Sequence, residues 1–320
     1  MKIVVLDAET IHFPEHLWEP FRKFGELILH DHTPAVEETI VERCRDAEIV
    51  LTNKVPLSAG ILAQLPNLRL ISVLATGYNV IDLEAAGKSG ITVCNVPAYS
   101  TASVVQHTLA LTLALLNDVA ALNASVYQGD WVNSRHFCYW QKEIREVSEM
   151  TVGLVGYGDI GKGVARVFQA LGAEVKATVR RPRAAEAENG VTFVDLPTLF
   201  RECDIVSLHC PLTIGNTRFV NRALLQTMKP HALLINTARG GLIHETELAA
   251  ALNEGLIGGA GLDVSDKEPM APDSPLLKAR RCMITPHVAW AGRRSRERLL
   301  EESVANVEAF LAKTARNVVR

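Results

Sequence analysis

Apolar positions in this chain recur in two rhythms, short runs rich in β-branched residues and longer stretches with helical spacing. The runs Lys2–Leu6, Leu27–His30, Ile49–Thr52, Leu70–Val73 and Thr92–Asn95 read as strands. Between them Val36–Cys44, Ser58–Gln64 and Asp82–Gly87 carry helix-compatible patterns, with Asp46 and Ser58 as turn or cap residues. Repeated strand-then-helix order predicts a parallel sheet covered by helices on both faces. Ligands of such sheets sit beyond the carboxyl ends of the strands. The segment after Val73 lies at such an end. Its small residues Ala75, Thr76 and Gly77 either offer N–H groups to a carboxylate or simply turn the chain toward Asp82.

The pattern changes from Tyr99. Ser100–Leu116 is a strongly apolar helix with Leu109, Leu113 and Leu116 on one face, and its Gln106 and His107 read as packing polar residues. An aromatic-rich arm follows, from Tyr127 to Trp140, with little regular pattern; exposed aromatics there point to a second copy of the chain. The alternation then resumes. Thr151–Val155 is a buried-type strand that runs into G-x-G-x-x-G, formed by Gly156, Gly158 and Gly161, with Asp159 and Ile160 opening a helix. The first glycine allows the tight turn, the second lets backbone approach a pyrophosphate, and the third permits close helix–strand packing. Further strands are expected at Glu174–Val179, Ile205–His209, Ala232–Asn236, Gly259–Val264 and Met283–Thr285, and helices at Arg222–Met228, Glu245–Asn253 and Arg294–Leu311.

Length and composition narrow the picture. The 320 residues leave room for two domains, and 48% hydrophobic with 22% charged residues is ordinary for a globular protein. A net charge of −3 gives no basic footprint, so nucleic acid is not expected as a partner. The run Arg293, Arg294, Arg296, Arg298 reads as a solvated helix face. Six scattered cysteines without C-x-x-C spacing suit a reduced, cytoplasmic protein and no metal site. No targeting segment is expected, and the longest apolar helical stretch is too short to span a membrane.

Three chemistry-bearing residues stand just past predicted strands: Arg239 after Asn236, Glu268 after Val264, and His287 after Thr285. Taken singly, each has an ordinary reading as a surface arginine, a loop glutamate or a turn histidine. Taken together and in order, the segments Gly-Tyr-Gly-Asp-Ile-Gly, His209-Cys210-Pro211-Leu212-Thr213, Asn-Thr-Ala-Arg-Gly-Gly, Gly-Leu-Asp-Val with Glu-Pro, and Thr-Pro-His-Val-Ala-Trp resemble the signatures of D-isomer-specific 2-hydroxyacid dehydrogenases. The resemblance runs from about residue 45 to about residue 300. Within the family it leans toward glycerate dehydrogenases and hydroxypyruvate–glyoxylate reductases, through Ala75–Asn79 and Trp290.

This resemblance implies an α/β protein of two doubly wound parallel-sheet domains. Residues 1–98 plus 290–320 form a flavodoxin-like substrate domain, and 99–289 an inserted Rossmann domain. It implies reduction of a small 2-keto acid to the D-2-hydroxy acid. His287 is the general acid, Glu268 pairs with it and favours its charged form, and Arg239 holds the carboxylate and polarises the carbonyl. Ala75, Thr76, Gly77 and Trp290 complete the substrate site. The cofactor meets Gly156, Gly158, Asp159, Ile160, Gly161, Cys210, Pro211, Thr237, Ala238, Asp263 and His287. The helix near Ser100 and the arm after Tyr127 build a homodimer. A nucleotide-sensing co-repressor on the same fold and phosphoglycerate dehydrogenase are the alternatives. Where NAD-binding units place an acidic residue at the end of the second strand, this chain has Val179, Arg180, Arg181, Pro182 and Arg183. Arg180 and Arg181 therefore predict NADP over NAD. His231 and His244, which depart from the family pattern, read as surface turn changes.

Overall fold

The computed structural model describes residues 1–180 and 189–319. They fall into two compact units, one formed by Met1–Ser100 with Ala291–Arg320 and the other by Thr101–Trp290.

The first unit holds five parallel strands, β1 Lys2–Val5, β2 Glu26–Leu29, β3 Ile49–Thr52, β4 Leu70–Val73 and β5 Thr92–Cys94, in the order β2-β1-β3-β4-β5. This is the flavodoxin-like order. The strands β3 and β4 are buried along their whole length, as expected for runs covered on both faces. Helices α1 Glu37–Cys44 and α2 Leu83–Lys88 connect strands, and α2 starts where the Asp82 carboxylate accepts from Ala85 N–H at 2.9 Å. At the β1/β3 switch point the buried Asp7 carboxylate accepts N–H bonds from Asn53, Lys54 and Val55. Burial raises its pKa against those bonds. The C-terminal helix Arg293–Leu311 belongs to this unit. Its arginines are not one solvated face. Arg296 donates to the Ile11 and His12 carbonyls and lies over the Phe13 ring, while Arg298 donates to the Tyr99 carbonyl.

The second unit begins with helices α3 Thr101–Leu116 and α4 Val119–Tyr127. Among the described residues it has seven strands, all parallel: β6 Thr151–Val155, β7 Glu174–Thr178, β8 Val191–Phe193, β9 Ile205–Leu208, β10 Leu233–Asn236, β11 Gly259–Leu262 and β12 Cys282–Ile284. The order β12-β11-β10-β9-β6-β7-β8 is a Rossmann sheet with a seventh strand. Helices α5 Asp159–Ala170, α6 Leu196–Glu202 and α7 Glu245–Glu254 cover it. Two glycines let α3 sit close to the sheet and its neighbour. A Cβ on Gly261 of β11 would lie 3.1 Å from Leu111 Cβ, and one on Gly163 of α5 would lie 2.6 Å from Val105 Cγ2.

Several elements differ from the sequence expectation, among them the unexpected four-residue helix Glu19–Arg22. The strand β8 is three residues long, too short to show a period. The helix α6 buries only Leu199 and Phe200, and its start is marked by the Asp195 cap on Thr198 N–H. The helix α4 buries only Ser125, so its apolar residues carry no core face to read. His231 is more than a turn change, since its Nε2 lies 2.7 Å from the buried Asp204 carboxylate. Among the described residues no single helix is long and apolar enough to cross a membrane; α3 and α4 meet the length and composition test only as a pair bent by 56°.

Candidate active site

The second unit gathers its chemistry at the carboxyl ends of β6, β9, β10, β11 and β12. Gly156 turns the chain out of β6 with φ +102°, and its N–H donates to the carbonyl of Thr178, the last residue of β7. A Cβ on Gly156 would lie 2.6 Å from the His209 carbonyl, and one on Gly161 would lie 2.3 Å from the Gly156 carbonyl. A Cβ on Gly158 would meet no atom of the described residues within 4 Å. Two of the three glycines are therefore filled against the protein and the middle one is open. Gly158 also caps the 12-residue helix α5, so the helix N–H groups and their dipole face that open space. An open glycine cradle at a helix N-terminus suits a pyrophosphate. Asp159 is exposed in the first turn, and Ile160 is half-buried against the core.

Across from the glycine loop, His209 hydrogen-bonds Ser207 Oγ at 2.8 Å, and burial lowers its pKa to about 4, which keeps the ring neutral. Cys210 follows, half-buried, its thiol pushed up to about 11 by burial and so a poor nucleophile. The exposed Pro211 is held through its carbonyl by Asn216 Nδ2 at 2.8 Å. Arg180 is exposed two residues past β7, whereas Glu174 opens that strand at its opposite end. Arg181 lies outside the described residues.

The Arg239 loop leaves β10 under the control of Asn236. That side chain accepts from Ala238 N–H at 3.0 Å and donates to the Arg239 carbonyl at 2.9 Å. Thr237 is buried, its hydroxyl 3.1 Å from Thr108 on α3. The half-buried Arg239 spends one guanidinium N–H on the Ala238 carbonyl at 2.7 Å. A Cβ on Gly240 would lie 1.9 Å from the Ser265 carbonyl carbon, so the β10 and β11 loops touch backbone to backbone.

The β11 loop carries Glu268, whose Oε1 accepts from Ser265 N–H at 3.3 Å and whose Oε2 lies 2.7 Å from His287 Nδ1. His287 Nε2 has no hydrogen-bond partner among the described residues. The backbone of His287 is left-handed, φ +53°. Asp263 is fully buried, and the chain's own donors engage both carboxylate oxygens. Oδ1 accepts from Thr285 Oγ1 at 2.6 Å and Val288 N–H at 2.9 Å, and Oδ2 from Ala289 N–H at 2.8 Å. His107 Nε2 on α3 lies 2.9 Å from Thr285 Oγ1. The half-buried Trp290 ends the segment. No cluster of metal-ligating side chains occurs among the described residues.

The model of the D-isomer specific 2-hydroxyacid dehydrogenase NAD-binding domain matches residues 109–289. The chain belongs to that family. It is similar to a hydroxypyruvate reductase of Blautia hydrogenotrophica, 39% identical over 100% of this chain and 99% of the relative. It is likewise similar to a glycerate dehydrogenase of Methylorubrum extorquens, 40% identical over 99% of this chain and 98% of the relative. Among solved structures, the NADPH-dependent glyoxylate/hydroxypyruvate reductase of Sinorhizobium meliloti in complex with citrate superposes with a TM-score of 0.85. It is 27% identical and covers 99% of this chain and 97% of its own. Members of this family are oxidoreductases with a nicotinamide cofactor, and the glycine cradle is built for one.

In the first unit, Thr76 donates its hydroxyl to the Val96 carbonyl at 2.9 Å, and its own carbonyl accepts from Asn95 Nδ2 at 2.7 Å. These bonds fix the Ala75–Gly77 turn through groups other than the Thr76 N–H. The part of this architecture that the sequence reading missed is the contact of His107 with Thr285. Helical spacing marks His107 as a packing residue, and nothing in its own segment points to residue 285.

Proposed function

We propose that the chain reduces a small 2-keto acid of the hydroxypyruvate or glyoxylate class to the D-2-hydroxy acid, with NADPH preferred. The observation that carries this reading is the 2.7 Å pair of His287 Nδ1 and Glu268 Oε2, which leaves His287 Nε2 to act as acid. That bond fixes the orientation of the ring. Protonation of a keto oxygen by Nε2 and binding of a carboxylate by the remaining Arg239 donors complete a set suited to this reduction. The bound nicotinamide supplies the hydride. Arg239 also polarises the carbonyl, a task for a fixed positive fork in a partly water-excluded site.

Gly156, Gly158, Asp159, Ile160 and Gly161 would hold the pyrophosphate end, Cys210 and Pro211 the adjacent ribose, and Thr237 and Ala238 the nicotinamide side. Trp290 lines the substrate side. In the first unit, the N–H groups of Ala75, Thr76 and Gly77 are assigned to the substrate carboxylate. Arg180 and Arg181 select the 2′-phosphate, a choice supported by the exposure of Arg180 beside the glycine loop and by Glu174 lying at the wrong end of β7. A homodimer is supported by exposed apolar side chains on α4 and the arm, among them Tyr127, Val132, Phe137 and Trp140. A cytoplasmic location is supported by six free cysteines.

The test is a panel of 2-keto acids compared by kcat/KM with each reduced cofactor. Hydroxypyruvate or glyoxylate should lead the panel with NADPH. Turnover of none of the acids would favour a nucleotide-sensing binding protein instead.

A further inference from the structure

The acid in this reading sits on backbone that an L residue rarely adopts. His287 has φ +53°, yet the segment is not left to hold itself. Three consecutive N–H groups point back at one residue: His287 N–H donates to the Asp263 carbonyl at 2.8 Å, Val288 N–H to Asp263 Oδ1, and Ala289 N–H to Asp263 Oδ2. Asp263 thus closes the turn with both its main chain and its side chain. Its carboxylate is in turn oriented by neighbours. A carboxylate only accepts, so the Thr285 hydroxyl spends its single proton on Asp263 Oδ1 at 2.6 Å. Thr285 Oγ1 is then the acceptor for His107 Nε2–H at 2.9 Å, which fixes the tautomer of His107. The same nitrogen is 3.3 Å from Asp263 Oδ1. The helix that brings His107 there is pressed onto β11 at Gly261.

We propose that His107, Thr285 and Asp263 form a relay of positioning residues that holds the His287 backbone in its left-handed turn and so aims the acid. The inference rests on His287 being the general acid. Asp263, expected among the cofactor contacts, here also holds the acid's own loop through both carboxylate oxygens. His107, on the opening helix of the unit, becomes a determinant of turnover although it is 180 positions from His287 in the chain.

The experiment is a double-mutant cycle on the full chain. The variants are Thr285→Val, Thr285→Ser, His107→Leu and His287→Ala, alone and combined, with kcat, substrate KM, NADPH binding by fluorescence and thermal melting measured for each. Thr285→Val and His107→Leu should each lower kcat about 10- to 100-fold, the cost of a misplaced reacting group. NADPH affinity should hold within about twofold, and Thr285→Ser should recover most of the rate. In the His287→Ala background neither change should lower kcat further, because the side chain that the relay aims is gone. Additive losses in that background, or weakened NADPH binding with unchanged kcat, would overturn the relay in favour of a general packing or cofactor-contact role. Should Thr285→Val fail to fold, His107→Leu at the far end of the relay carries the same comparison. Normal kcat in both relay variants beside a crippled His287→Ala refutes the relay alone. Normal kcat in His287→Ala refutes the acid assignment and the relay with it.

Discussion

Gly240 and Ser265 lie so close that any side chain at residue 240 would put its Cβ 1.9 Å from the Ser265 carbonyl carbon. One of these loops carries Arg239 and the other carries Glu268, so a single glycine sets how closely the two loops approach. Gly240→Ala must push the loops apart. Overpacking of this kind costs about 1–3 kcal/mol of stability. The variant should melt lower and lose more kcat/KM than its stability loss explains; a melting shift with unchanged kinetics would contradict the coupling.

Arg239→Lys keeps the charge and removes the fork. A lost charge-assisted hydrogen bond is worth roughly 1.5–3 kcal/mol, so kcat/KM for the 2-keto acid should fall about 10- to 100-fold. Steady-state kinetics at saturating cofactor measures it. A lysine variant as active as the parent would remove Arg239 from the substrate site.

Cofactor choice is tested by kcat/KM with NADPH and NADH for the parent and for Arg180→Ala/Arg181→Ala. The parent should prefer NADPH and the double variant should lose that preference, since nothing acidic closes β7 to repel a 2′-phosphate. A parent that prefers NADH would contradict the assignment.

The fold was legible because its signals are local. The strands β3, β4, β9 and β10 are apolar but for one residue each, Thr52, Ser72, Ser207 and Asn236, and are buried along their whole length, and the glycine motif sits between a strand and a helix as its spacing requires. Arg239, Glu268 and His287 announce themselves by standing after strands, and Glu268 and His287 do meet. What stayed hidden depends on long-range packing. His107 reads as a core helix polar because its partner is 178 residues away. Arg296 and Arg298 read as solvated because their acceptors are main-chain carbonyls of other segments. His231 reads as a turn residue because Asp204, its partner, is 27 residues earlier at the start of β9.

That Asp204 gives the pH dependence of stability. Desolvation raises its pKa, but the Thr151 N–H, His231 and Lys229 outweigh burial and bring it down from 3.8 to about 2. A carboxyl whose folded pKa is depressed stabilises fully above the unfolded value, and that stability is lost as pH falls from near 4 toward 2. Asp204→Asn should therefore cost on the order of 2 kcal/mol at neutral pH. The gap between variant and parent should close near pH 2, as followed by urea melts across the range. A gap independent of pH would show that the loss is one of packing.

In the proposed reaction this chain reduces a 2-keto acid with His287 as the proton donor. The most direct measurement is kcat for hydroxypyruvate reduction in the parent and in His287→Ala, with NADPH binding measured on the same samples. Loss of a general acid should lower kcat about 10²- to 10⁴-fold while NADPH still binds. A His287→Ala variant that turns over near the parent's rate would contradict it.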